Sequence, residues 1–184
     1  MPPYCDIFAA VAEASRQEGL SVLVIGGHAV NAYGYARTTL DADFLICAED
    51  LPAWRRVFES FGYRWQAQTD AFAKFLPPQT DPPSLPVDIM LVNSATFQKL
   101  TDGKRELDFG PTRLNVPQPL HLIALKLHAM RNDERRRLGK DFPDIAQIMR
   151  HCGIKPGDAE FRRIVDHYAN SPTRALLDAV LELG

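Results

Sequence analysis

The chain has 184 residues, 46% apolar and 24% charged, with a net charge of −2. That suits one well-buried globular domain, or a domain with a small helical appendage, and it supplies no global basic field to attract nucleic acid, although a local patch would still serve. No apolar stretch approaches the ~20 residues needed to span a membrane. The N-terminus lacks a basic segment followed by a long apolar one, so no signal peptide is expected and the location is read as cytoplasmic. Cys5, Cys47 and Cys152 are far apart and form no CxxC pair. They read as reduced thiols acting as small buried hydrophobes, not as a zinc site.

In chain order, Asp6 to Glu18 carries apolar positions at Ile7, Val11 and Ala14 and ends at Gly19, an amphipathic helix. Val22 to Ile25 is an apolar run that stops at Gly26-Gly27, and a short helical stretch is expected from His28 to Tyr35. After Arg37-Thr38-Thr39 comes a second apolar run, Leu40 to Ile46, carrying Asp41 and Asp43. Read as a strand, it alternates faces with period two. Asp41 and Asp43 then share one face, and Leu40, Ala42 and Phe44 point into a core. Two carboxylates about 7 Å apart on a strand repel unless a cation sits between them, and a hard divalent ion such as Mg²⁺ takes oxygen ligands. The plainer reading is a tight strand-to-helix turn followed by an exposed strand face.

Leu51 to Phe61 spaces Trp54, Val57, Phe58 and Phe61 as a helix ending at Gly62. Tyr63 to Ala67 and Ala71 to Leu76 form a hairpin around Gln68-Thr69-Asp70. Pro77 to Pro86 holds five prolines in ten residues and must be a surface loop, because proline donates no ladder hydrogen bond. Val87 to Val92 is an apolar strand whose Asp88, taken alone, is a strand-edge residue facing water. Ser94 caps a short helix to Leu100, and Thr112 to Val116 is a last strand. A boundary at 117/118 separates a strand-rich half from an all-helical half.

Pro119 to Arg131 is a helix, with proline tolerated at its start. Lys126 falls inside its apolar stripe, either snorkelling to a rim or placed to meet an anion. His121 and His128 share another face and read as surface or satisfied histidines. Asn132 to Lys140, with Arg135, Arg136 and Arg137, is either a solvated charged face or a local patch for an anionic partner. Asp141-Phe142-Pro143-Asp144 is expected to open the next helix, to Arg150, its carboxylates serving as caps or dipole partners. Asp158 to Ala169 and Ser171 to Leu183 complete the chain as helices, the second capped by Ser171.

Gly-Gly at a strand end, a short helix, and Asp-x-Asp on the next strand resemble the core motif of the nucleotidyltransferase superfamily, which includes DNA polymerase beta. GGHAVNAYGYARTTLDADFLI is most similar to its small bacterial branch of abortive-infection-type toxins. The resemblance implies a mixed α/β (α+β) fold, a mixed β-sheet flanked by helices, with a catalytic core over 1–117 and a helical region over 118–184 packed on it. It further implies transfer of a nucleoside monophosphate from a nucleoside triphosphate to a hydroxyl of RNA, protein or a small molecule. Asp41, Asp43 and Asp88 would hold two Mg²⁺ ions, with Mn²⁺ as the alternative metal, and Asp88 would be the general base. Gly26, Gly27, Arg37, Thr38 and Lys126 would cradle the phosphates, helped by the amides opening the first helix after the strand.

The Lys140-Asp141-x-x-Asp144 pattern also resembles the family's, which gives Asp141 or Asp144 the alternative task of positioning Lys126 or the acceptor. Where Gly26-Gly27 stands, the commonest family pattern has Gly-Ser, so a phosphate-binding hydroxyl is missing there. His28 or Thr38 is the candidate to replace it. A toxin–antitoxin pair is the implied setting, with an antitoxin as partner. The competing function is a non-catalytic nucleotide- or partner-binding module that keeps the fold. A sequence-specific DNA- or RNA-binding regulator finds no helix-turn-helix head and no basic excess in its favour.

Overall fold

The computed structural model describes residues 6–132 and 134–181, with side chains for all of these except 132, 134–138 and 180–181. Cys5, the side chains of Arg135 to Arg137 and the last residues of the final expected helix lie outside what is described. The chain forms two compact units, one of residues 1–32 and 36–117, the other of residues 33–35 and 118–184.

In the first unit, α1 (Ile7–Glu18) starts at Asp6, whose carboxylate accepts from the Phe8 and Ala9 amides, and stops at Gly19 in the left-handed conformation. β1 is only Leu23–Val24, and α2 (Gly26–Ala32) begins at the glycine pair itself, not at His28. β2 (Ala42–Cys47) follows, then α3 (Leu51–Ser60), the hairpin β3 (Arg64–Gln68) and β4 (Phe72–Leu76), and β5 (Val87–Val92). These strands make a mixed sheet of order β1-β2-β5-β4-β3, with β2 and β5 parallel and the other pairs antiparallel. α4 (Ser94–Thr101) takes its N-cap from Asn93, whose side chain accepts from the Thr96 amide, and not from Ser94. β6 (Arg105–Phe109) and β7 (Thr112–Val116) form a separate two-stranded ribbon.

One aromatic cluster fills the core of this unit. Phe58 lies 4.9 Å from Phe75 and 5.8 Å from Trp54, ring centre to ring centre, and Phe44 joins them at 6.3 Å. All four side chains are fully buried. Leu40 does not join them. It is 77% exposed, because the pleated strand begins only at Ala42 and the alternation does not extend back through the bend at Asp41.

The second unit contains α5 (Pro119–Asn132), α6 (Glu134–Cys152), α7 (Ala159–Tyr168) and α8 (Ser171–Leu181). α6 corrects the expectation of a helix opening at Asp141. It is already running from Glu134, with Pro143 in its interior. Proline there removes one helical hydrogen bond, but Glu, Arg and Leu upstream favour helix, and Asp141 and Asp144 sit on a turn bonded to α5. They are therefore not first-turn caps. α8 is capped by Asn170, which accepts from the Thr173 amide at 2.9 Å, and not by Ser171. No described helix is long and apolar enough to cross a membrane.

Candidate active site

The candidate site is assembled at one end of the parallel pair β2 and β5. Antiparallel pairing of β1 with β2 aligns Val24 with Phe44, and the Ile25 amide then donates to the Asp43 carbonyl at 3.0 Å. Gly26 is thereby delivered against Asp43. On the other edge the Ala42 amide donates to the Pro86 carbonyl at 2.9 Å, and the parallel register sets Asp43 beside Asp88. Asp41, in the bend just before β2, completes the group. Carboxylate oxygens of Asp41, Asp43 and Asp88 lie within 4.8 Å of one another, and all three side chains are half-buried.

Each carboxylate has a neighbour that fixes it. Thr39 donates its hydroxyl to Oδ1 of Asp41 at 3.1 Å. Gly26, at φ +64°, leaves room for Asp43, since a Cβ there would stand 2.7 Å from the Asp43 Cβ and overlap the carboxylate. Lys74 on β4 places its ammonium 3.1 Å from Oδ1 of Asp88.

Gly27 is closed in as well. A Cβ on it would lie 2.7 Å from the Thr39 hydroxyl and 2.9 Å from the Arg37 guanidinium. Those two side chains occupy the space that a serine at this position would need. Thr38 is exposed, and it is its neighbour Thr39 that stands by the glycine pair. Asn31 clamps the loop, donating to the Arg37 carbonyl at 2.9 Å and accepting from the Arg37 amide at 3.1 Å.

His28 packs edge-on against Phe8 at 4.7 Å, and its buried Nε2 has no hydrogen-bond partner. Burial lowers its pKa below 6.5; Asp41 opposes that shift and Arg37 adds to it. Burial thus favours the neutral imidazole over the charged one.

In the helical unit, Lys126 is buried. Its ammonium donates to Oδ1 of Asp141 at 3.0 Å and to Oδ2 of Asp144 at 2.6 Å, and both aspartates are buried too. Lys140 is exposed, as is His128.

Sequence reasoning missed Lys74, Thr39 and Asn31. Lys74 had a legible signal, a cation between two buried core positions on a strand, but its partner depends on strand register. Thr39 and Asn31 act across a bend and a loop, for which periodicity has no rule.

Three convergent carboxylates form an all-oxygen donor set, which fits a hard divalent cation, and the Gly26 cradle holds one of them against the end of β1. The fold is that of the nucleotidyltransferases. Among the solved structures that align with it are ANT(2″)-Ia in complex with adenylyl-2″-tobramycin (15% identity, 89% of this chain and 97% of that one, TM-score 0.69); an antigenic nucleotidyltransferase-like protein from Paracoccidioides brasiliensis (14% identity, 95% and 89%, TM-score 0.58); and the lincosamide antibiotic adenylyltransferase LnuA with lincomycin bound (14% identity, 77% and 93%, TM-score 0.56).

Residues 57–183 match the family described as "Nucleotidyl transferase AbiEii toxin, Type IV TA system", a match that begins after Asp41 and Asp43. The chain belongs to this family and is a nucleotidyltransferase. No curated protein matches the sequence.

Proposed function

We propose that the protein transfers a nucleoside monophosphate from a nucleoside triphosphate to a hydroxyl group of an RNA, a protein or a small molecule, releasing pyrophosphate, and that the reaction depends on Mg²⁺. The observation that carries this reading is the convergence of Asp41, Asp43 and Asp88 within 4.8 Å. A pure binding module has no reason to hold three repelling charges together. Mg²⁺ held there would neutralise charge on the phosphoryl group and on the attacking and leaving oxygens.

Asp41, Asp43 and Asp88 are the assigned metal ligands, and Asp88 is also the assigned acceptor of the hydroxyl proton. Gly26 and Gly27 let the backbone approach the phosphates without a Cβ in the way. Arg37 and Thr38 are assigned to phosphate charge, and within the helical unit Asp141 and Asp144 fix the Lys126 ammonium. The adenylyl-tobramycin held by ANT(2″)-Ia supports a hydroxyl acceptor. The family's description supports a toxin in a toxin–antitoxin pair, with an antitoxin as partner.

The test is label transfer. Wild-type and Asp41→Ala protein are incubated with Mg²⁺, each α-³²P triphosphate, total cell RNA, protein extract and a panel of aminoglycosides. Label on one acceptor with wild type alone supports the proposal and names nucleotide and acceptor together. Equal labelling by Asp41→Ala, or no label on any acceptor, overturns it in favour of a module that binds without transfer.

A further inference from the structure

The reading above leaves Lys74 without a task. The register sets Asp43 beside Asp88 and Asp88 beside Lys74, so one row across β2, β5 and β4 carries two negative charges and then a positive one. The ammonium is 3.1 Å from Oδ1 of Asp88 and donates to Oδ2 at 3.4 Å. Ala73 and Phe75 on either side of it are fully buried, which pins β4 in register and keeps Lys74 on the carboxylate face. The Lys74 and Asp88 side chains are 34% and 20% exposed. A pair that wet contributes little to folding, so its consequence lies in the site.

Three carboxylates converge here, and Lys74 offsets one unit of their negative charge at Asp88. A second cation entering beside Asp88 would meet the ammonium at close range and compete with it for the same oxygens. We propose that Lys74 is a positioning residue and built-in counter-ion: it restricts the nucleotide-free protein to a single divalent cation, at Asp41 and Asp43, and reserves Asp88 until a triphosphate adds its own negative charge. This inference rests on the metal site proposed above.

The test is a titration of the full chain with Mn²⁺ in the absence of nucleotide, free Mn²⁺ being read by electron paramagnetic resonance. Wild type is expected to take one ion. Lys74→Met is expected to bind Mn²⁺ about tenfold more tightly, since removing a unit charge a few ångströms from a divalent ion is worth at least that much, and to take a second ion. Lys74→Arg restores the wild-type curve. If Lys74→Met folds poorly, as judged by circular dichroism, Lys74→Gln carries the same expectation. Affinity and stoichiometry unchanged within twofold in a folded neutral variant would overturn the assignment and leave Lys74 a solvent-exposed ion pair. Wild type that binds no Mn²⁺ sensitive to Asp43→Asn would overturn the metal reading itself, which is a separate failure.

Discussion

Gly26 and Asp43 are built into one space: the carboxylate of Asp43 occupies the volume that any side chain at position 26 would need, and the glycine holds φ +64° beside it. The Ile25 amide bonded to the Asp43 carbonyl keeps them together. This contact joins the glycine pair to the carboxylate pair, two features 17 positions apart in the sequence.

Gly26→Ala is therefore expected to act on the site more than on the fold. The left-handed backbone costs an alanine about 1 kcal/mol, and Asp43 must swing away. A displacement of about 1 Å at a reacting centre typically costs about a hundredfold in rate. Initial rates and thermal midpoints of Gly26→Ala against wild type check this, and a near-native rate would contradict it.

Lys126→Met is expected to destabilise the helical unit by about 3–5 kcal/mol, because it strands two buried carboxylates without their shared cation. Adding Asp141→Asn and Asp144→Asn to the same variant should recover part of the loss. Urea unfolding of the single and triple variants measures both, and a single variant within 1 kcal/mol of wild type would show that water reaches the aspartates.

His28 predicts a pH dependence. Its folded pKa lies below the unfolded value of 6.5, so above pH 6.5 both states are neutral and the residue has no effect on the pH slope. As pH falls below 6.5 the unfolded chain takes up a proton that the folded protein refuses, and stability declines until the folded pKa is reached. The slope from this one group is at most about 1.4 kcal/mol per pH unit. In His28→Gln that component is absent, so the difference in unfolding free energy between variant and wild type should change below pH 6.5 and stay flat above it. Parallel curves throughout would sink the assignment.

Much of the fold was legible because periodicity and punctuation agree. α1 between Asp6 and Gly19, the β3–β4 hairpin and the apolar strand β5 follow from spacing and breakers alone. Period two places Asp43 on the face opposite Ala42 and Phe44, but Asp41 stands in the bend before β2 and Leu40 two residues outside the strand, so the rule reaches neither. Other features depend on tertiary partners. α6 runs through Pro143 and carries Asp141 and Asp144 to Lys126, and a local reading of Asp-Phe-Pro-Asp sees a start signal instead. Asn93 and Asn170 cap their helices one residue before the serines expected to, since asparagine and serine are about equally good caps and only backbone geometry chooses between them. β6 is a polar strand, Arg105-Glu106-Leu107-Asp108-Phe109, recognisable only through its pairing with β7. Lys74 and Thr39 belong to the same class, placed by register and by a bend.

The central claim is that Asp41, Asp43 and Asp88 together hold the divalent cation on which transfer depends. Crystals of the protein grown with Mn²⁺ and a non-hydrolysable triphosphate, measured at the manganese edge, test it most directly. The account predicts anomalous density about 2.2 Å from oxygens of Asp41, Asp43 and Asp88, with the triphosphate beside Gly26 and Gly27. Bound triphosphate with no peak at these carboxylates, or a peak only elsewhere on the chain, would contradict it.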